Sequence, residues 1–124
     1  MKYLLDTNIV IAALLAEGAA IRARLAELDA DDPVTSSIVI AEVLHGSAND
    51  KPPPIEAVEQ FIEEVQVLPF DSAAAREYAR LAFERRSFDR LIAAHALSQG
   101  LIVVTGNEKD FADVPGLKVE NWTV

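Results

Sequence analysis

The sequence predicts an α/β fold with a central, mainly parallel sheet. Short apolar runs, Tyr3-Leu4-Leu5, Val67-Leu68-Pro69-Phe70 and Leu101-Ile102-Val103-Val104, read as strands, the first of the kind found buried in a sheet. Longer stretches of helical period separate them, and that alternation is the signature of a parallel sheet with crossover helices. A length of 124 residues, 51% hydrophobic and 25% charged, suits one globular domain spanning 1–124.

The elements follow in order. Residues 3–5 form the first strand, and Asp6-Thr7-Asn8 turns the chain into a nearly all-apolar, buried helix over 9–15. Gly18 interrupts it, and a second helix over 19–28 turns Arg22 and Arg24 outward. Val34-Thr35-Ser36 after Pro33 is a short strand. Ser37 is placed to cap a helix over 38–44, with Gly46 as its stop. The stretch 46–54, with three consecutive prolines, is a surface loop too short to separate domains. Ile55, Val58, Phe61, Ile62 and Val65 recur at helical spacing opposite Glu56, Glu59, Glu63 and Glu64, so this helix is amphipathic. A strand over 67–70 leads to a helix opened by Asp71-Ser72 and running to about Phe83. A further helix from Ser87 or Phe88 to Gln99 ends at Gly100. Residues 101–104 are the most strand-like run, and 117–119 a weaker final strand.

The charge balance narrows the function. A net charge of −9 makes the chain a poor non-specific binder of nucleic acid, yet leaves room for an enzyme that holds a divalent metal with carboxylates and touches nucleic acid over a small area. The absence of cysteine excludes disulfide scaffolds, zinc–thiolate sites and thiol nucleophiles. The N-terminus does not read as a signal peptide, and no apolar stretch approaches the ~20 residues of a spanning helix. A soluble, cytoplasmic protein without a membrane association is the expectation.

Parallel sheets place their active sites beyond the carboxyl ends of the strands. Asp6 follows one strand there, and Thr105-Gly106-Asn107 follows another. Asp6 is either the N-cap of its helix or a site carboxylate, with Asn8 as a second polar group on the same turn. Glu42 interrupts an otherwise apolar helix and is either paired or on an exposed edge. Asp89 sits in the first turn of its helix, where the helix dipole alone favours an acid. Six residues separate it from His95, about 120° around the axis, so His95 reads as a core or interface residue and not its co-ligand. His45, three residues after Glu42, forms at most one Glu-x-x-His pair, too little for a site. Scattered glycines and isolated histidines give neither a phosphate loop nor a catalytic triad. Dispersed carboxylates without thiolates point to Mg²⁺ or Mn²⁺, because carboxylates drawn together repel unless a cation compensates.

Taken in order, Asp6-Thr7-Asn8, Ser36 with Glu42, Asp89-x-x-Ile92-Ala93-Ala94-His95-Ala96, Val104-Thr105-x-Asn107, Asp110-Phe111 and Val119-Glu120-Asn121-Trp122 resemble the PIN domain, specifically the VapC toxins of bacterial VapBC toxin–antitoxin pairs. The resemblance covers nearly the whole chain. It implies a three-layer α/β/α domain and a Mg²⁺-dependent endoribonuclease, with Mn²⁺ as substitute, that cuts tRNA or rRNA to leave a 5′-phosphate and a 3′-hydroxyl. It implies a homodimer held inactive by a cognate VapB-type antitoxin, with operator DNA bound through the antitoxin alone. Carried over residue by residue, Asp6, Glu42 and Asp89 are the catalytic acids and Asp6 and Asp89 the direct metal ligands. Asn8, Ser36, Thr105 and Asn107 give polar support, and Thr7 is a lesser candidate. The fourth acidic position of the family falls on Asn107, which favours a single metal in the absence of substrate.

Residues 83–88 lack the Gly- and Pro-containing segment that relatives often carry before the third acid. Arg85, Arg86 and Arg90 bracket Asp89 there, and either steer RNA toward the site or form ordinary surface ion pairs. The acidic pocket also suggests inhibition by an antitoxin Arg or Lys that displaces the metal. Two rival readings stand beside this one. A phosphatase of the haloacid dehalogenase type wants an Asp where Asn8 stands, and a PIN-like binding module without turnover is the other.

Overall fold

The computed structural model describes residues 1–81 and 87–123. Among these, the strands are β1 (Tyr3–Leu5), β2 (Pro33–Ser36), β3 (Gln66–Leu68), β4 (Ile102–Val104) and β5 (Val119–Glu120). The helices are α1 (Thr7–Ala13), α2 (Ala19–Ala26), α3 (Ser37–Ala48), α4 (Ile55–Glu64), α5 (Ser72–Arg80) and α6 (Phe88–Gln99). Single 3₁₀ turns occupy Ala16–Gly18 and Glu108–Phe111.

All pairings are parallel, and the sheet order is β3-β2-β1-β4-β5. Every residue of β1 and β2 is buried, which is why their sequences lack a polar alternation. From β1 the chain steps to β2 and β3 in one direction, then crosses back to β4 and β5 on the other side of β1. Right-handed crossovers therefore put α1–α4 on one face and α5–α6 on the other, giving the three-layer α/β/α architecture. The order reverses between β1 and β4, so the topological switch point lies at their carboxyl ends.

The core fills the two spaces between sheet and helices. Leu4, Leu5, Ile9, Val10, Val39 and Val43 are in it, with Ile92, Ala93 and Ala96 from α6. Gly18 is there for a steric reason: a Cβ would lie 1.8 Å from the carbonyl oxygen of Ala12. Arg22, outward as expected, closes this junction by donating to the carbonyls of Ala13 (3.1 Å) and Leu15 (2.6 Å). The carboxyl tail returns over the N-terminal strand. Trp122 is 2% exposed, packs edge-on to Tyr3 and donates to Glu120, while Arg24 lies 4.8 Å from its ring centre.

Several boundaries differ from the sequence expectation. The cap of α3 is Ser36, whose hydroxyl accepts from the Ile38 N–H at 3.0 Å; Ser37 instead accepts from the Phe70 N–H. Gly46 does not stop α3, which runs on to Ala48, where the Asn49 amide donates to the His45 carbonyl. β3 ends at Leu68 because Pro69 has no N–H to extend the ladder. β5 starts at Val119 and not at Leu117. Helix α5 is seen to Arg80, and the expected continuation to Phe83 lies outside the described residues. Gly100 does end α6, in the left-handed conformation (φ 66°) that glycine adopts without steric cost. No helix among the described residues is long and apolar enough to cross a membrane.

Candidate active site

Asp6 leaves β1 at the switch point. Its backbone N–H continues the ladder to Val104 of β4 at 3.1 Å, which fixes where the side chain emerges. One carboxylate oxygen accepts from the Ile9 N–H at 3.1 Å, so Asp6 is the N-cap of α1. The Thr105 hydroxyl also hydrogen-bonds to it, and Thr105 is fully buried at the end of β4. Asp6 is 5% exposed. Burial pushes its pKa up, the Thr105 and Ile9 donors oppose that, and the charge of Glu42 raises it further. The cap reading of Asp6 is thus met, and the same buried side chain lies within electrostatic reach of Glu42.

Glu42 lies in the second turn of α3, half-buried. The Thr7 hydroxyl, in the first turn of α1, donates to its Oε1 at 2.6 Å. Asp89 enters from the opposite layer in the first turn of α6, whose start is capped by Ser87. Its pKa is pushed up to about 6, by burial first, then by Asp110 within hydrogen-bonding reach, then by the charges of Asp6 and Glu42. Three chain segments from both faces of the sheet therefore bring acids into one electrostatic neighbourhood.

Asp110, part of the family pattern in the sequence but given no site role there, joins these acids. It stands in the 3₁₀ turn after β4, and the Asn107 side-chain amide donates to its Oδ2 at 2.8 Å. The Asn107 N–H in turn donates to the Thr105 hydroxyl at 3.0 Å. The position expected to hold a fourth acid thus holds an amide that grips a carboxylate three residues on. A signal was present, an acid close behind the polar turn of a switch-point strand, but Glu108 and Asp113 share that description.

The remaining candidates divide. Asn8 is exposed, and its backbone N–H faces the Asp6 carboxylate. Ser36 is buried, but its hydroxyl serves the α3 N-terminus and His95 Nδ1 (2.8 Å). His95 is the core histidine expected: fully buried, edge-on to Phe70, with burial lowering its pKa. Among the described residues, its Nε2 is a buried atom without a hydrogen-bond partner. His45 is exposed. Of the two readings of Arg90, steering or a surface ion pair, the structure shows an ion pair, with Asp113 at 2.9 Å, but Arg90 is only 9% exposed and not a surface group. Asp113 lies twenty-three residues away, so no local spacing announces the pairing. Arg85 and Arg86 lie outside the described residues.

The donor set is made of hard carboxylate oxygens, the chemistry that suits Mg²⁺ or Mn²⁺. A buried, partly desolvated Asp6 beside other acids fits a site meant for a cation. Among the described residues no three of these side chains form a closed metal-ligating group.

Comparisons with known proteins agree with this architecture. The model of the PIN domain family matches residues 3–117. The tRNA(fMet)-specific endonuclease VapC of Shigella flexneri is 35% identical, covering 99% of both chains. Ribonuclease VapC2 of Haemophilus influenzae is 33% identical over 98% of both. Among solved structures, VapBC2 from Rickettsia felis bound to a fragment of promoter DNA superposes with a TM-score of 0.87 at 28% identity, covering 98% of this chain and 99% of that one. DNA-bound VapBC from Salmonella typhimurium gives 0.84 at 33% identity, over 98% of both. The fold and site define a PIN-domain nuclease. Within that class, the chain belongs to the VapC ribonuclease family.

Proposed function

We propose that this chain, residues 1–124 as one PIN domain, is a VapC toxin that works as a Mg²⁺-dependent endoribonuclease, with Mn²⁺ able to substitute. What supports the reading is the mutual electrostatic influence of Asp6, Glu42 and Asp89, one after the end of β1, one in the second turn of α3 and one in the first turn of α6. Asp6 and Asp89 would hold the cation, with Glu42 and Asp110 completing the acidic wall. A bound divalent ion supplies Lewis-acid stabilisation at phosphorus and a water of lowered pKa. The protein contributes position. Thr105 and the Ile9 N–H fix Asp6, and Asn107 fixes Asp110. Unneutralised, these carboxylates repel an RNA phosphate, so substrate approach and cation occupancy are linked. One tightly held ion in the absence of substrate is the stoichiometry we propose.

The substrate is RNA of the translation machinery, tRNA or rRNA. Two relatives are named tRNA(fMet)-specific endonucleases, which makes that tRNA the first to try. The partner is a VapB-type antitoxin, through which the complex reaches operator DNA, in keeping with the DNA-bound VapBC structures that this fold matches. A homodimer in the cytoplasm is the form proposed for the free toxin. Incubating antitoxin-free protein with tRNA in Mg²⁺ or EDTA tests the reading: cleavage in Mg²⁺ alone supports it, and equal cleavage in EDTA contradicts it.

A further inference from the structure

Thr7 makes a contact that capping and packing do not account for. It is the residue after Asp6, yet its hydroxyl reaches across to α3 and donates to Oε1 of Glu42 at 2.6 Å, thirty-five residues away. Both residues are half-buried, so the bond is partly shielded from solvent. An O–H donor on a carboxylate makes a short, charge-assisted bond, stronger than a neutral one. It occupies one oxygen of Glu42 and fixes the plane of the carboxylate, leaving Oε2 as the freer oxygen. Asp6 is held by its cap and by Thr105. A glutamate has one more rotatable bond than an aspartate and needs an external restraint to keep its place. Thr7 supplies it from the same turn that places Asp6.

We infer that Thr7 is a positioning residue: it fixes the orientation of the Glu42 carboxylate toward the cation site, so that one two-residue turn, Asp6-Thr7, sets two of the pocket's acids. The inference rests on the metal-site reading above. Donors that orient ligating carboxylates change metal affinity by about 10–100-fold when removed.

The test is Mn²⁺ binding by titration calorimetry with the full-length protein, with thermal unfolding in EDTA as the fold control. Thr7→Val keeps the shape and deletes the donor; Thr7→Ser keeps the donor. The expected result is Mn²⁺ affinity about tenfold weaker in Thr7→Val, near wild type in Thr7→Ser, at similar melting temperatures. In a Glu42→Ala background, which removes the acceptor, Thr7→Val should cause no further loss, since coupled residues are non-additive. Wild-type affinity in Thr7→Val, or the same loss with and without Glu42, overturns the positioning role. An Asp6→Asn control separates the two readings: if it binds Mn²⁺ as well as wild type, the metal-site assignment fails, whatever Thr7 does.

Discussion

At Asp89 the folded protein keeps its carboxyl proton up to about pH 6, whereas an ordinary aspartate releases it near 3.8. Between those values the unfolded chain binds fewer protons than the folded one. The Asp89 contribution to stability is therefore present at low pH and lost as pH rises through about 6. Asp89→Asn should match wild type in melting temperature near pH 4 and exceed it by about 2–5 °C at pH 7.5 in EDTA, measured by thermal unfolding. Added Mg²⁺ should raise the melting temperature of wild type at pH 7.5 but not that of the variant. If the two proteins shift alike with pH and metal, Asp89 is not the group that titrates or ligates. At this scale the sequence was legible where an acid stood against an apolar background, as Asp6 and Glu42 do. It was illegible where several acids shared one loop, as Glu108, Asp110 and Asp113 do, because only the fold decides which turns inward. The burial of Arg90 was equally illegible, because its partner Asp113 sits in a turn twenty-three residues away.

Elements place these residues, and two junctions matter most. Gly18 lets α2 fold back against the end of α1, and a Cβ there would overlap the Ala12 carbonyl. Gly18→Ala should cost about 1–3 kcal/mol in denaturant unfolding; a neutral result would mean that the junction yields freely. The carboxyl tail is fastened by Trp122 between Tyr3 and Arg24, and Trp122→Ala should cost about 3–5 kcal/mol by the same measurement. A loss below about 1 kcal/mol would show the tail to be dispensable to the sheet. β1 and β4 were readable because burial leaves runs of apolar residues, and helices because Gly100 and the amphipathic stripe of α4 announce themselves. Ends were read less well. Two adjacent serines both offer a cap, and only the position of Phe70 decides that Ser36 serves α3 while Ser37 is used elsewhere.

For the molecule as a whole, the parallel order was legible as a class but the switch point was not. Sequence places Asp6 and Thr105 after strands; pairing of β1 with β4 makes those strands neighbours and lets Thr105 bind Asp6. A net charge of −9 opposes RNA at long range, so encounter depends on local cations. With Arg90 engaged by Asp113, the steering proposal rests on Arg85 and Arg86. Replacing both by Ala should slow cleavage at low salt and flatten its salt dependence, whereas an unchanged salt profile would remove them from the encounter. The acidic pocket also predicts that the antitoxin is held in part by a basic side chain entering it; a complex of undiminished affinity after removal of the antitoxin's Arg and Lys residues near the site would contradict that. The central claim is that Asp6, Glu42 and Asp89 form one metal-dependent ribonuclease site. The most direct measurement maps new RNA 5′ ends after incubating antitoxin-free protein with bacterial total RNA in Mg²⁺, in EDTA, and with Asp89→Asn in Mg²⁺. Discrete cuts with wild type in Mg²⁺ only are the predicted result; the same cuts from a folded Asp89→Asn protein would contradict the account.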